Sequence, residues 1–242
     1  FPPATNPISR LKYAAVDRFF AVSSAVRAAL EAAGIEAERI GLLPDGLPPE
    51  AFVSAPPPPA PPYRVAHVGS FDGKKGQDVV VEVVARLARE GWNLEAVFLG
   101  DGPERARVEE QARQANVASR CTFLGVVSDV PVRLASSHLL LLPSESEGAS
   151  LALLEAMAAG CAVLTHEVGG AREVVDGGKA GRLLPDLDPE TWTAATRDLL
   201  SNEEERRRLV EAGRRFVAPR TVETTAEALE GEFRALVAAK RR

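Results

Sequence analysis

Residues 138–160, HLLLLPSESEGASLALLEAMAAG, decide the fold. Leu139 to Leu142 form an unbroken apolar run, as a strand covered on both faces of a parallel sheet requires. Pro143 stops the strand, and an acidic, glycine-containing turn follows. Leu151 to Ala159 are strong helix formers, with Ser150 in front of them as N-cap. The helix therefore begins at the carboxyl edge of a strand, where open α/β sheets bind ligands. Its first free N–H groups, near Leu151 to Leu153, face that crevice and suit a phosphate.

Two carboxylates bracket the corner, Glu147 in the turn and Glu155 inside the helix, with seven residues between them. Glu155 lies more than a turn in, where interaction with the helix dipole has faded. Acceptors beside an anion site suit a ligand that carries both phosphate and hydroxyls, such as a sugar nucleotide. On spacing alone a second reading stands beside this one: Glu147 as a solvated turn residue and Glu155 as the partner of a nearby Arg.

Outward from this corner the pattern repeats. Residues 65–69, VAHVG, read as a strand that runs into the turn Ser70-Phe71-Asp72-Gly73-Lys74-Lys75-Gly76, and a helix follows from Gln77 to Arg89. The chain has five lysines against 24 arginines, and two of the five are adjacent in this loop. A lysine amine is a compact point charge suited to a diphosphate, although a solvated loop would use the same residues. Leu94 to Gly100 is a strand entering Asp101-Gly102-Pro103, with Pro103 placed for the first turn of a helix. Cys121 to Gly125 is the next strand and Ser128 to Ala135 the next short helix. Strands near 65, 95, 121, 138 and 162 alternating with helices predict a doubly wound parallel sheet.

The residues just described resemble the retaining glycosyltransferases of family four. E-G-A-S-L-A-L-L-E-A-M-A-A-G followed by C-A-V-L-T-H-E-V-G-G-A-R-E-V-V carries that family's Glu-x7-Glu motif, its E-A-M-A-x-G helix and its V-G-G-x-x-E, in order and at the family's spacing. Gly100-Asp101-Gly102-Pro103 is similar to the family's G-D-G-P. The resemblance implies the Rossmann-like C-terminal domain of the GT-B fold, which holds a nucleotide-diphosphate sugar, UDP- or GDP-linked, without a metal or cofactor. It implies catalytic roles for Lys75, which would neutralise the diphosphate, and Glu147, which would contact the sugar hydroxyls. Lys74, Gly69, Ser70, Gly148, Ala149, Ser150 and Leu151 would contact the donor; Val126 would lie at the nucleotide base, and Glu155 would hold the ribose hydroxyls. The family usually places Arg where Ser70 stands, and Lys74 is the candidate for the second charge.

The resemblance covers roughly residues 13–238, but only the second half of a two-domain enzyme. It implies that residues 1–55 are a remnant of the acceptor-side domain, 56–62 (PPPPAPP) a semi-rigid proline linker, 63–220 the donor-binding domain, and 221–242 a helix that packs back on the N-terminal segment. The missing acceptor half would be an upstream domain or a partner chain. An inert sugar-nucleotide-binding half-enzyme and a nucleotide-sugar epimerase or hydrolase are the alternative functions.

Composition sets the bounds. A chain of 242 residues with 45% apolar content can build a substantial core. No apolar stretch reaches about 18 residues, so no transmembrane helix is expected. Net charge of −5 and few aromatics argue against nucleic acid as partner. Cys121 and Cys161 sit in apolar, strand-like settings without metal spacing, which reads as buried thiols of a cytoplasmic protein. His67 and His138 read as core or edge residues, and His166 as a residue nearer the cleft.

Overall fold

The computed structural model describes residues 7–53, 55–56 and 58–240; residues 1–6, 54, 57 and 241–242 lie outside them. The main body is a six-stranded parallel sheet of β3 (Tyr63–Val68), β4 (Leu94–Leu99), β5 (Cys121–Gly125), β6 (Leu139–Leu142), β7 (Ala162–His166) and β8 (Arg182–Leu184), in the order β5-β4-β3-β6-β7-β8. A smaller parallel pair, β1 (Phe19–Ala21) and β2 (Ile40–Leu42), stands apart in the N-terminal segment with α1 (Pro7–Ala14) and α2 (Ser24–Ala32).

Both faces of the large sheet are covered, which is why its strands are apolar throughout: all four residues of β6 are buried. One face packs on α3 (Gln77–Arg89), α4 (Arg105–Gln114) and α8 (Pro189–Ser201) through Val80, Val84, Val108, Trp192 and Leu199. The other packs on α5 (Val130–Ala135), α6 (Leu151–Ala159) and the end of α9 (Glu203–Val217) through Leu134, Leu153, Met157 and Val217. The chain runs outward from β3 to β4 and β5, then returns to β6 on the other side of β3. The switch point is therefore the gap between β3 and β6. The fold is the doubly wound α/β class expected from the alternating pattern.

Several local expectations are corrected. The sheet has a sixth strand, β8, whose three residues RLL lie between Gly181 and Pro185, too short to stand out as a pattern. Two short helices, α1 and α7 (Ala171–Val174), add to the alternating pattern. Pro103 is in a turn and α4 begins at Arg105, because Glu104 N–H first bonds Phe71 O at 2.9 Å. Along one exposed face of α9, Glu203 pairs with Arg207 and Glu205 with Arg208. Arg206 leaves that face and donates instead to the carbonyls of Leu199 and Leu200 at the end of α8.

The last helix, α10 (Val222–Lys240), buries no residue fully but lies along the N-terminal unit. Phe233 packs edge-on against Phe20, Arg18 pairs with Glu232 at 2.9 Å, and Lys240 with Asp17 at 2.6 Å. The two passages between the units are tied together. Leu47 N–H bonds Arg220 O, Val222 N–H bonds Leu47 O, and a Cβ on Gly46 would fall 2.2 Å from Thr221 O.

Candidate functional site

The loops that follow β3 and β6 meet at the switch point. Gly69 leaves β3 through a bond to Leu99 O, and Phe71, fully buried, anchors the loop beside Phe98 and Phe123. Gly76 turns the chain into α3 with φ +70°; a Cβ there would lie 2.2 Å from Pro143 O, so only glycine lets the two loops touch. Glu145 N–H then bonds Lys74 O at 2.9 Å. Side-chain positions follow from this frame. Lys75 lies across Gly69, where an added Cβ would sit 3.1 Å from its Cγ, and its Nζ meets Glu147 Oε1 at 2.9 Å.

That ion pair rejects the reading of Glu147 as a solvated turn residue, since its side chain is only 7% exposed. Glu155 is half-buried and pairs with no Arg among the described residues. Burial raises its carboxyl above the ordinary glutamate range. Ser150 occupies the N-cap position of α6, yet its hydroxyl makes no cap bond. Leu153 N–H is taken by Ser150 O at 3.1 Å, so the free N–H groups are those of Leu151 and Ala152, one fewer than the spacing suggested. Gly148 and Leu151 are exposed and Ala149 half-buried around them.

Ser70 and Lys74 are arranged around a residue that sequence reasoning passed over. Asp72 accepts from Ser70 Oγ at 2.9 Å and from Lys74 N–H at 3.0 Å. The Lys74 backbone bond is the main cause holding its carboxyl below the usual range. Lys74 points to solvent with no ion-pair partner among the described residues. Val126 follows β5, two strands from β3, and is 84% exposed.

His67 is wholly buried beneath the loop. Its Nδ1 meets Leu141 O at 2.9 Å and its Nε2 has no partner. Burial is the main cause that lowers its pKa to about 4, with Lys75 adding to the shift, so the ring is neutral at pH 7. His166, at the end of β7, holds the turn after β6 through Ser144 O at 2.8 Å. His138 is also buried, its Nδ1 accepting from Arg64 N–H. Burial pushes the Cys121 thiol up to about 12 and raises Cys161 as well, so neither is a nucleophile at neutral pH. Among the described residues no three His, Cys, Asp or Glu side chains gather as a metal would need, and no helix is long and apolar enough to cross a membrane. A shallow groove lined by Arg64, Glu95, Thr122 and Arg133 opens at the amino ends of the strands, away from this corner.

A doubly wound parallel sheet with helices on both faces, and with a lysine, a buried carboxylate and free helix N–H groups at its switch point, defines a Rossmann-like α/β protein. Residues 51–216 match the family described as Glycosyl transferases group 1, and the chain belongs to that family. It is 29% identical over 149 residues to alpha-D-kanosaminyltransferase of Streptomyces kanamyceticus, covering 61% of this chain and 39% of that protein. It is 34% identical over 151 residues to N-acetyl-alpha-D-glucosaminyl L-malate synthase of Bacillus anthracis, covering 62% and 39%. The chain thus spans about two fifths of the length of these curated relatives.

Anabaena Alr3699/HepE in complex with UDP-glucose superposes with a TM-score of 0.85 at 19% identity, over 97% of this chain and 68% of that one. Sucrose-phosphate synthase from Thermosynechococcus elongatus superposes at 0.83 with 26% identity, over 99% and 64%. The Anabaena likeness shows the fold alone.

Proposed function

We propose that this chain is the donor-binding part of a retaining glycosyltransferase that takes a sugar from a UDP- or GDP-linked donor. The observation that carries the reading is the Lys75–Glu147 pair at 2.9 Å, set at the switch point beside the free N–H groups of Leu151 and Ala152. A cation and helix N–H groups suit the diphosphate, and a buried carboxylate suits sugar hydroxyls. Lys75, with Lys74 as the second charge, then neutralises the diphosphate. Glu147 receives the sugar hydroxyls, Glu155 the ribose diol, and the exposed backbone at Val126 the base. The 69–70 and 148–151 backbones line the phosphates.

In the reaction the bond between the anomeric carbon and the phosphate oxygen breaks, and an acceptor hydroxyl attacks the same face. The acceptor's proton passes to the departing phosphate. Stabilising that leaving group is electrostatic work of the kind done in an oxyanion hole. By family resemblance the chain's own cations do this without a metal. The division into residues 1–55 as the end of an acceptor-side unit, 63–220 as donor domain and 221–242 as returning helix belongs to the same proposal, as does catalysis by a chain of this length.

The carboxylates test it. Glu155→Gln is expected to weaken binding of the whole nucleotide by about 1.5–3 kcal/mol, the range for a charged hydrogen bond. In the free chain the sign is opposite. The folded state raises the Glu155 pKa, so its contribution to stability is present at low pH and is lost as pH rises through that raised value. The neutral amide escapes this loss, so the unliganded variant should melt no lower than wild type at pH 7. Glu147→Gln should not weaken UDP or GDP, since it releases Lys75 to the phosphate, and should weaken the sugar conjugates relative to them. Calorimetry with both ligand types reads the result. Equal losses for nucleoside diphosphate and sugar nucleotide remove Glu147 from the sugar. Steady turnover of donor in the absence of acceptor favours an epimerase or hydrolase instead.

A further inference from the structure

The turn that carries Glu147 is held from two sides by residues that touch no ligand in the reading above. On one side is the segment after β7. Gly170 N–H donates to Glu147 O at 3.1 Å. The approach there is so close that a Cβ on Gly169 would fall 1.7 Å from Glu147 O, and one on Gly170 2.2 Å from Gly148 O. On the other side is the start of α2, in the separate N-terminal unit. Ser23 Oγ donates to Gly148 O at 2.6 Å across 125 residues of sequence, while the same oxygen accepts from Val26 N–H as the cap of α2. The one donor of the Ser23 hydroxyl is thereby committed to Gly148 O.

A second tie closes the arrangement. Glu173 Oε2, on α7 just beyond the glycine pair, accepts from Ser24 N–H at 2.8 Å and so satisfies another free donor at the N-terminus of α2. The start of α2 and the Gly169–Gly170 bend thus each bond the Glu147–Gly148 turn, and α7 bonds the start of α2.

We infer that Ser23 and Glu173 are positioning residues: they latch the N-terminal unit onto the Glu147 turn and thereby fix where the Glu147 carboxylate stands in the donor crevice. The inference rests on the assignment of Glu147 to the donor sugar. With the Glu147 and Gly148 carbonyls both engaged, the peptide planes on either side of Gly148 cannot rotate, and the direction of the Glu147 side chain is set. Gly148 itself offers no resistance to rotation, since it has no Cβ. Loss of the Ser23 bond frees one of those carbonyls. The carboxylate should then spread over several positions, and the sugar, which must be met at one of them, should lose affinity. The diphosphate, held by Lys75 and the backbone of α6, should not.

The test separates capping from latching. Ser23→Asp keeps an acceptor for the α2 cap but has no proton to give Gly148 O, whereas Ser23→Thr keeps both roles. Glu173→Ala removes the second tie, and Glu173→Gln retains an acceptor for Ser24 N–H. The full chain is titrated calorimetrically with UDP and UDP-glucose, and with GDP and GDP-mannose, and the affinity ratio of sugar nucleotide to nucleoside diphosphate is compared. Ser23→Asp and Glu173→Ala are each expected to lower the ratio of the better-bound pair about 3- to 10-fold, the value of one or two neutral or singly charged hydrogen bonds. Ser23→Thr and Glu173→Gln should restore it to within about twofold. Asn202→Ala, which deletes the cap of α9 far from the crevice, should lower the melting temperature and leave the ratio alone. A ratio unchanged in Ser23→Asp and Glu173→Ala, in a chain whose wild type distinguishes sugar nucleotide from nucleoside diphosphate, overturns the latch and leaves the donor site standing. A wild type that binds neither sugar nucleotide overturns the donor reading and the latch with it.

Discussion

Lys75→Met is expected to lower the affinity for UDP or GDP by about 1.5–3 kcal/mol, or roughly 10- to 150-fold. Methionine keeps a stem that can lie over Gly69, so the loss isolates the charge. Lys75 is three-quarters shielded from water and shares its charge with Glu147, so donor binding must draw the ammonium partly from carboxylate to phosphate. Shielding makes that interaction resistant to salt. Lys74→Ala should cost less, and its effect should fade with added salt, because its ammonium is exposed. A nucleoside without phosphates should bind both variants like wild type. The variants also differ without ligand. Lys75→Met leaves Glu147 buried and unpaired, so the free chain should lose stability, whereas Lys74→Ala should leave it unchanged. Calorimetry at two ionic strengths checks the order. Equal losses for the two lysines, or none, contradict the assignment of the loop to the diphosphate.

Acidification is expected to take about 3 kcal/mol of stability through His67 alone. The folded pKa, about 4, lies below the ordinary 6.5, so the unfolded chain binds the proton first. The contribution is therefore fully present above pH 6.5 and is lost as pH falls toward 4. The Leu141 carbonyl and the charge of Asp78 favour the protonated ring, but burial outweighs them, Lys75 adds like charge and Nε2 faces no acceptor. His67→Asn can keep a donor for Leu141 O, at the cost of some packing against Phe98, and cannot be protonated in this range. Urea midpoints of wild type and variant should therefore converge between pH 6.5 and 4. A gap that stays constant over that window contradicts a buried neutral His67. His138 is depressed in the same direction, and the variant comparison cancels it.

The sheet was legible because its strands are buried on both faces and so read as apolar runs; α3, α6, the limits of β5 and, to within one residue, those of β4 follow from such runs and their bounding glycines and prolines. What escaped was short or fixed by distant partners. β8 has three residues, and its place is set by pairing with β7. The start of α4 is set by Phe71, more than thirty residues back. Within the site, the residue types of Lys75 and Glu147 could be read, but not that they meet, because their contact depends on Gly76 touching Pro143. Asp72 gave no motif signal, being one acid in a polar turn. Glu173 was visible as the last letter of V-G-G-x-x-E, yet its partner Ser24 lies 149 residues away, and no local pattern joins the two.

The central claim is that the corner between β3 and β6 holds a nucleotide-diphosphate sugar. The most direct measurement is calorimetric titration of the full chain with UDP-glucose and GDP-mannose in EDTA, repeated on Glu155→Gln and Lys75→Met. The account predicts saturable binding of at least one donor, unaffected by the chelator and weakened at least about tenfold by each substitution. Binding of neither donor, or binding that both variants retain in full, would contradict it.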